Sequence, residues 1–137
     1  MSHKLAIVGS RAYVDKTAFE ETVEQWIEEN GLPQCIVTGD ASGADAMARE
    51  YAGAHSIKLV VHRAEWSRYG RAAGPIRNNS IVKGCTAMIA FLAADGAGTR
   101  DSIAKAKAAG LEPHVIDVAL STEQKLVSAQ TRAPTAK

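Results

Sequence analysis

Short apolar runs that do not alternate, each followed by a segment of helical period, recur along this chain and limit what it can fold into. Lys4–Val8 (KLAIV) leads into Gly9-Ser10-Arg11, and Cys35–Thr38 leads into a small-residue stretch from Gly39 to Asp45. Ile57–Val61 ends at His62-Arg63, and Ala87–Leu92 ends at a glycine loop, Asp95–Thr99. His114–Val118 is the last run. Strands without polar alternation are covered on both faces. Between them, residues 15–30, 43–54, 75–83 and the alanine-rich segment closed by Gly110 read as helices. Strand and helix in strict alternation predict an α/β, three-layer sandwich: a central, mostly parallel five-stranded sheet with helices on both faces.

Local signals fix the element ends. Asp15, or Thr17 with Glu20 as a capping box, starts the first helix, and Asn30-Gly31-Leu32-Pro33 stops it. Ser42 with Asp45 fits a second capping box. Pro75 suits the first position of the third helix, with Gly74 as its cap and Gly84 as its stop. Ala64–Gly74 reads as a long irregular segment, and Ala87–Leu92 as the central strand. Residues 1–118 are expected to form one domain. Residues 119–137, polar apart from Leu126 and Val127, are expected to be a tail or a loosely packed helix.

Composition removes several function classes. A chain of 137 residues with formal net charge +1 has no basic excess for gripping nucleic acid or a membrane surface. It carries no apolar run of signal-peptide or membrane-span length, which leads us to expect a cytoplasmic protein. Cys35 and Cys85 lie outside any metal spacing and read as small buried hydrophobes. No metal and no cofactor is expected. The three-glycine fingerprint of dinucleotide oxidoreductases and the Gly-Lys-Ser/Thr loop of nucleotide triphosphatases are both missing.

Parallel strands send all their exit loops to one edge, where ligands bind in open sheets. The exits here carry Gly9, Ser10 and Arg11; Gly39, Asp40, Ser42, Gly43 and Asp45; the segment with Trp66 and Tyr69; and Gly96, Ala97, Gly98 and Thr99. The return loops hold mostly helix stops. A glycine loop at a helix start presents unpaired amides to an anion, with Arg100 close by. Arg11 and Arg77 supply donors for a phosphate, Asn78 for a ribose or a neighbouring loop, and Trp66 and Tyr69 either pack the long segment or stack on a base. Ser42 and Gly43 fit capping and ligand contact equally, since both use the same amides, whereas Asp45 reads as a cap or an orienter of a neighbour rather than a catalyst.

Four pieces carry a family resemblance: IVGSR (Ile7–Arg11), TGDASGADAMA (Thr38–Ala48), AEWSRYGRAAGPIRNNSIV (Ala64–Val82) and FLAADGAGTRDSI (Phe91–Ile103). Together they resemble the YspA-type branch of the SLOG superfamily, small Rossmann-like domains related to the "lonely guy" cytokinin-activating enzymes. The resemblance implies a ligand built on a nucleotide or ribose phosphate, its phosphate on the Gly96–Thr99 loop, and a homo-oligomer. The "lonely guy" enzymes cleave adenine from ribose 5′-phosphate with a glutamate and an upstream arginine. Counted from Thr99, the glutamate falls on Ser102, with Asp101 one residue short, and the arginine corresponds to Arg77.

The expected function is therefore binding of a nucleotide-derived or ribose-phosphate small molecule, as a sensor, sequestering or carrier domain. The alternative is a phosphoribohydrolase-like enzyme acting on a nucleoside 5′-monophosphate, with Asp101 or Asp45 as its carboxylate and Arg77 on the phosphate. A nucleic-acid module is the least expected class, given the near-neutral charge.

Overall fold

β1 (Lys4–Gly9) is buried on both sides, with Leu5 and Ile7 facing one way and Ala6 and Val8 the other. It therefore takes the middle of the sheet. The computed structural model describes residues 2–94 and 96–120. Its other strands are β2 (Cys35–Gly39), β3 (Leu59–His62), β4 (Ala87–Leu92) and β5 (His114–Asp117), in the order β3-β2-β1-β4-β5 with every pair parallel. The α/β sandwich with a five-stranded parallel sheet is as expected. β4 is not the central strand; it lies beside β1.

The helices divide between the two faces. α1 (Lys16–Asn30) and α2 (Ala44–Ala54) cover one face, where Phe19, Val23, Ala48 and Tyr51 pack on Leu5, Ile7, Ile36, Ile89 and Phe91. Phe91 stacks on Tyr13 at 5.3 Å and lies 5.1 Å from Phe19, ring pairs worth about 0.5–1.5 kcal/mol each beyond their buried area. α4 (Ala73–Lys83) and α5 (Ala97–Ala108) cover the other face, with Ile81, Val82, Ile103 and Ala106 on Ala6, Val8, Val37, Met88 and Ala90. Cys35 and Cys85 are free and buried there, and burial pushes the Cys85 thiol up to about 11, so it packs as a hydrophobe.

Some local readings change. Trp66–Ala72 is not irregular: it forms α3 (Trp66–Tyr69) and a single 3-10 turn (Gly70–Ala72) that runs into α4. α4 starts at Ala73, ahead of Pro75, whose missing N–H still falls among the amides that have no intrahelical acceptor. Asp15 caps α1 by accepting from the Ala18 N–H at 3.1 Å. Leu120 is buried in the α1–α2 core, so chain packing continues past residue 118. Leu126 and Val127 lie outside the described residues. Among the described residues no helix is long and apolar enough to cross a membrane.

After β3 the chain returns past β2 and β1 to lay β4 on the far side. The strand order thus reverses between β1 and β4, and the crevice at their C-terminal ends is where such sheets take ligands.

Candidate functional site

A hollow of about 260 Å³ opens at that reversal. Its wall includes Gly9, Ser10 and Arg11 from the β1 exit, Ala41 and Asp45 from the β2 exit and α2, Arg77 and Asn78 from α4, and Gly96, Gly98, Thr99 and Ser102 from α5. Three of the four strand exits named above thus converge, and α4 closes the space between them.

The β1 exit is held by backbone. Ser10 extends the β1–β4 ladder through its N–H to the Phe91 carbonyl at 3.0 Å, and its own carbonyl accepts from the Ala44 N–H at 3.1 Å. Ser42 does not cap α2. Gly43 is the cap residue, with no side-chain cap bond, and the Ser42 hydroxyl donates instead to the Arg11 carbonyl at 3.1 Å. The β2 exit is thereby stitched to the β1 exit at Gly43, whose φ of 71° is open to glycine and strained for other residues.

α5 begins at Ala97, so Gly98 and Thr99 belong to its first turn rather than to a preceding loop. Gly96 caps it without a side-chain bond, and the first intrahelical bond runs from the Arg100 N–H to the Gly96 carbonyl at 2.9 Å. The amides of Ala97, Gly98 and Thr99 therefore have no intrahelical acceptor. Arg100 turns away, donating to the Ala94 carbonyl at 3.0 Å.

Arg77 is held rigidly. Nη1 donates to Asp40 Oδ1 at 3.0 Å and Nε to Asn78 Oδ1 at 3.0 Å, and the side chain is only 10 % exposed. Asn78 in turn donates to Asp101 Oδ2 at 3.0 Å and to the Gly98 carbonyl at 3.3 Å, linking α4 to the first turn of α5. Gly39 makes room for this arrangement. A Cβ there would lie 2.7 Å from Arg77 Nη1 and 2.6 Å from Asp45 Oδ2.

Asp45 is buried in the wall, 5 % exposed. Its Oδ2 accepts one long bond, from the Ala41 N–H at 3.4 Å, and it makes no ion pair among the described residues. Burial pushes its carboxyl up to about 6, against the opposing pull of Arg77, the Ala41 amide and Arg49. Arg49 itself donates to the carbonyls of Gly39 at 2.8 Å and Ala41 at 3.0 Å, which fixes the backbone of the β2 exit.

The remaining candidates stand outside the wall. Asp101 pairs with Lys105 at 2.6 Å and with Asn78, on the side of α5 that meets the start of α4; Ser102, the next residue, is the one that lines the hollow. Gly39, Asp40, Ser42 and Gly43 shape and support the wall without lining it, and Ala97 contributes its place in the first turn of α5. Trp66 and Tyr69, on α3, are 43 % and 37 % exposed, and the Arg11 guanidinium of the wall lies 5.9 Å from the Trp66 ring centre.

Ser102 and Arg49 escaped the selection of site residues, though both were legible. Thr99, Ser102, Ile103 and Ala106 are the buried stripe of α5, spaced three and four apart. Arg49 follows Asp45 by four residues on α2 and so shares its face.

A family model described as YspA, cpYpsA-related SLOG family matches residues 3–69, which hold the β1 and β2 exits and α3. Over these residues the chain is similar to YspA-type SLOG sequences. It is also 29 % identical over 114 residues to the Gene 61 protein of Mycobacterium phage D29, an alignment that covers 79 % of this chain and 91 % of the phage protein. No solved structure matches. The likeness to the SLOG family suggests nucleotide-related binding or processing. The SLOG match carries the Gly9–Arg11 and Gly39–Asp45 half of the hollow, while Arg77 to Ser102 lie beyond it.

Proposed function

We propose that this SLOG-type domain binds a nucleotide-derived or ribose-phosphate small molecule in the hollow between β1 and β4, as a sensor, sequestering or carrier domain. One observation carries the reading: the first turn of α5, which has no side-chain cap among the described residues, and the clamped guanidinium of Arg77 line the same hollow at the strand-order reversal. First-turn amides without an intrahelical acceptor and a preorganised arginine suit a phosphate. A volume of about 260 Å³ is near the lower end of small-molecule sites and suits a sugar phosphate. The base then emerges at the rim, where Trp66 and Tyr69 are exposed. These aromatics, with Ile76 at 39 % exposure, also give a second copy a surface beside the site, in keeping with self-association.

Thermal denaturation with a panel of nucleoside monophosphates, ribose 5-phosphate and ADP-ribose tests the reading. A ligand at a hundredfold excess over its Kd stabilises the fold by about 2.7 kcal/mol. A flat response across the panel contradicts it.

The hydrolase alternative rests on Asp45, a wall carboxyl raised into the range useful for general acid catalysis. Against it, the wall position where the related enzymes carry glutamate holds Ser102, and a hydroxyl does not stabilise an oxocarbenium-like centre as a carboxylate does. Release of free base from a nucleoside monophosphate, abolished in Asp45→Asn, is the outcome that would favour catalysis over binding.

A further inference from the structure

The hollow has two unlike ends, built on opposite faces of the sheet. α5 and α4 lie on one face and contribute no carboxylate to the wall, only first-turn amides, Arg77, Asn78 and the hydroxyls of Thr99 and Ser102. α2 lies on the other and contributes Asp45, a carboxylate, to the same wall. Arg77 does not neutralise this carboxylate by contact. Its Nη1 and Nε are taken by Asp40 and Asn78, and the ion pair it makes is with Asp40. Arg49 is likewise spent on the carbonyls of Gly39 and Ala41. Among the described residues this carboxylate, 5 % exposed, accepts one bond, at 3.4 Å, so it has acceptor capacity left over for a ligand.

A phosphate cannot satisfy it, since two anions in contact repel. A sugar hydroxyl can, by donating a charge-assisted hydrogen bond while the phosphate of the same molecule sits at the α5 end. We infer that Asp45 is the specificity-determining residue of the hollow, accepting a hydrogen bond from a ring hydroxyl and so selecting ribose over deoxyribose phosphates. The inference rests on the binding role proposed above and narrows its ligand class. Selection of this kind is strong because the analogue lacking the hydroxyl leaves the buried acceptor unpaired.

The test is a calorimetric titration of the full chain at pH 8 with AMP, 2′-deoxy-AMP and 3′-deoxy-AMP. AMP should bind roughly tenfold or more tightly than at least one deoxy analogue, the size expected of one hydrogen bond to a charged group. In Asp45→Ala the three should bind alike, and in Asp45→Asn the preference should shrink. Equal affinity of all three for the unmodified protein overturns the inference while leaving nucleotide binding intact. A preference that persists undiminished in both variants also overturns it, by removing Asp45 from its cause. Binding of none of the three overturns the binding role and the inference together.

Discussion

At pH 8 the Asp45→Asn variant should melt several degrees above the unmodified protein, and the difference should vanish as the pH falls toward 4. The Asp45 carboxyl stands near 6 in the fold against an ordinary 3.8, mainly because burial penalises its charge. Between those values the folded chain holds a proton that the unfolded chain has released. Stability therefore falls as pH rises through this window and stays reduced above it. Holding the carboxyl at about 6 instead of 3.8 costs the fold about 3 kcal/mol at pH 8, a large share of a domain's net stability. Asparagine fills the same space without a charge and escapes the penalty. Melting curves of both proteins from pH 4 to pH 8 check this. An Asp45→Asn variant no more stable than its parent at pH 8 would mean the carboxylate is well solvated or well paired.

The opposite response is expected at Gly43. Its φ of 71° is strained for any side chain, and a Cβ there would run into the Ser10 carbonyl oxygen and the Arg11 carbonyl. Those are backbone atoms of the exit from the central strand, so neither neighbour yields by rotating a side chain. Gly43→Ala should cost roughly 3–5 kcal/mol or prevent folding, since strain and backbone displacement add. Gly98 is the control. Nothing lies within 4 Å of its would-be Cβ, and in the first turn of α5 an alanine should be neutral or stabilise by up to about 1 kcal/mol. Urea denaturation of the two variants reads the contrast directly. Similar midpoints would remove Gly43 as the fastening between the β1 and β2 exits.

Much of the architecture was legible because the strands announce themselves. The six residues of Ala87–Leu92 are apolar without interruption and bounded by Thr86 and Ala93-Ala94, and β4 has those same limits. Gly9–Arg11 and Gly96, Gly98 and Thr99 meet in one hollow because parallel strands send their exits to the same edge. What local reading missed depended on packing. Ser42 looked like a helix cap, but with Gly43 left-handed its hydroxyl reaches the Arg11 carbonyl instead. Trp66–Ala72 has no apolar period, so its two short turns, which pack on α4, had no signature. Choosing between Asp101 and Ser102 required the phase of α5. Ile103 and Ala106 set that phase, and it turns Ser102 inward while Asp101 meets Lys105.

In the proposed binding role the first turn of α5 receives the anionic end of a nucleotide-like ligand. Gly98→Asp examines it most directly, since the position is open to an added side chain and lies in the wall of the hollow. Calorimetric titration of AMP into both proteins, with melting curves to confirm that both are folded, is the measurement. The account predicts saturable binding to the unmodified chain and its loss in the variant, where a carboxylate takes up the free amides and repels the phosphate. Equal binding to both folded proteins, or none to either, would contradict it.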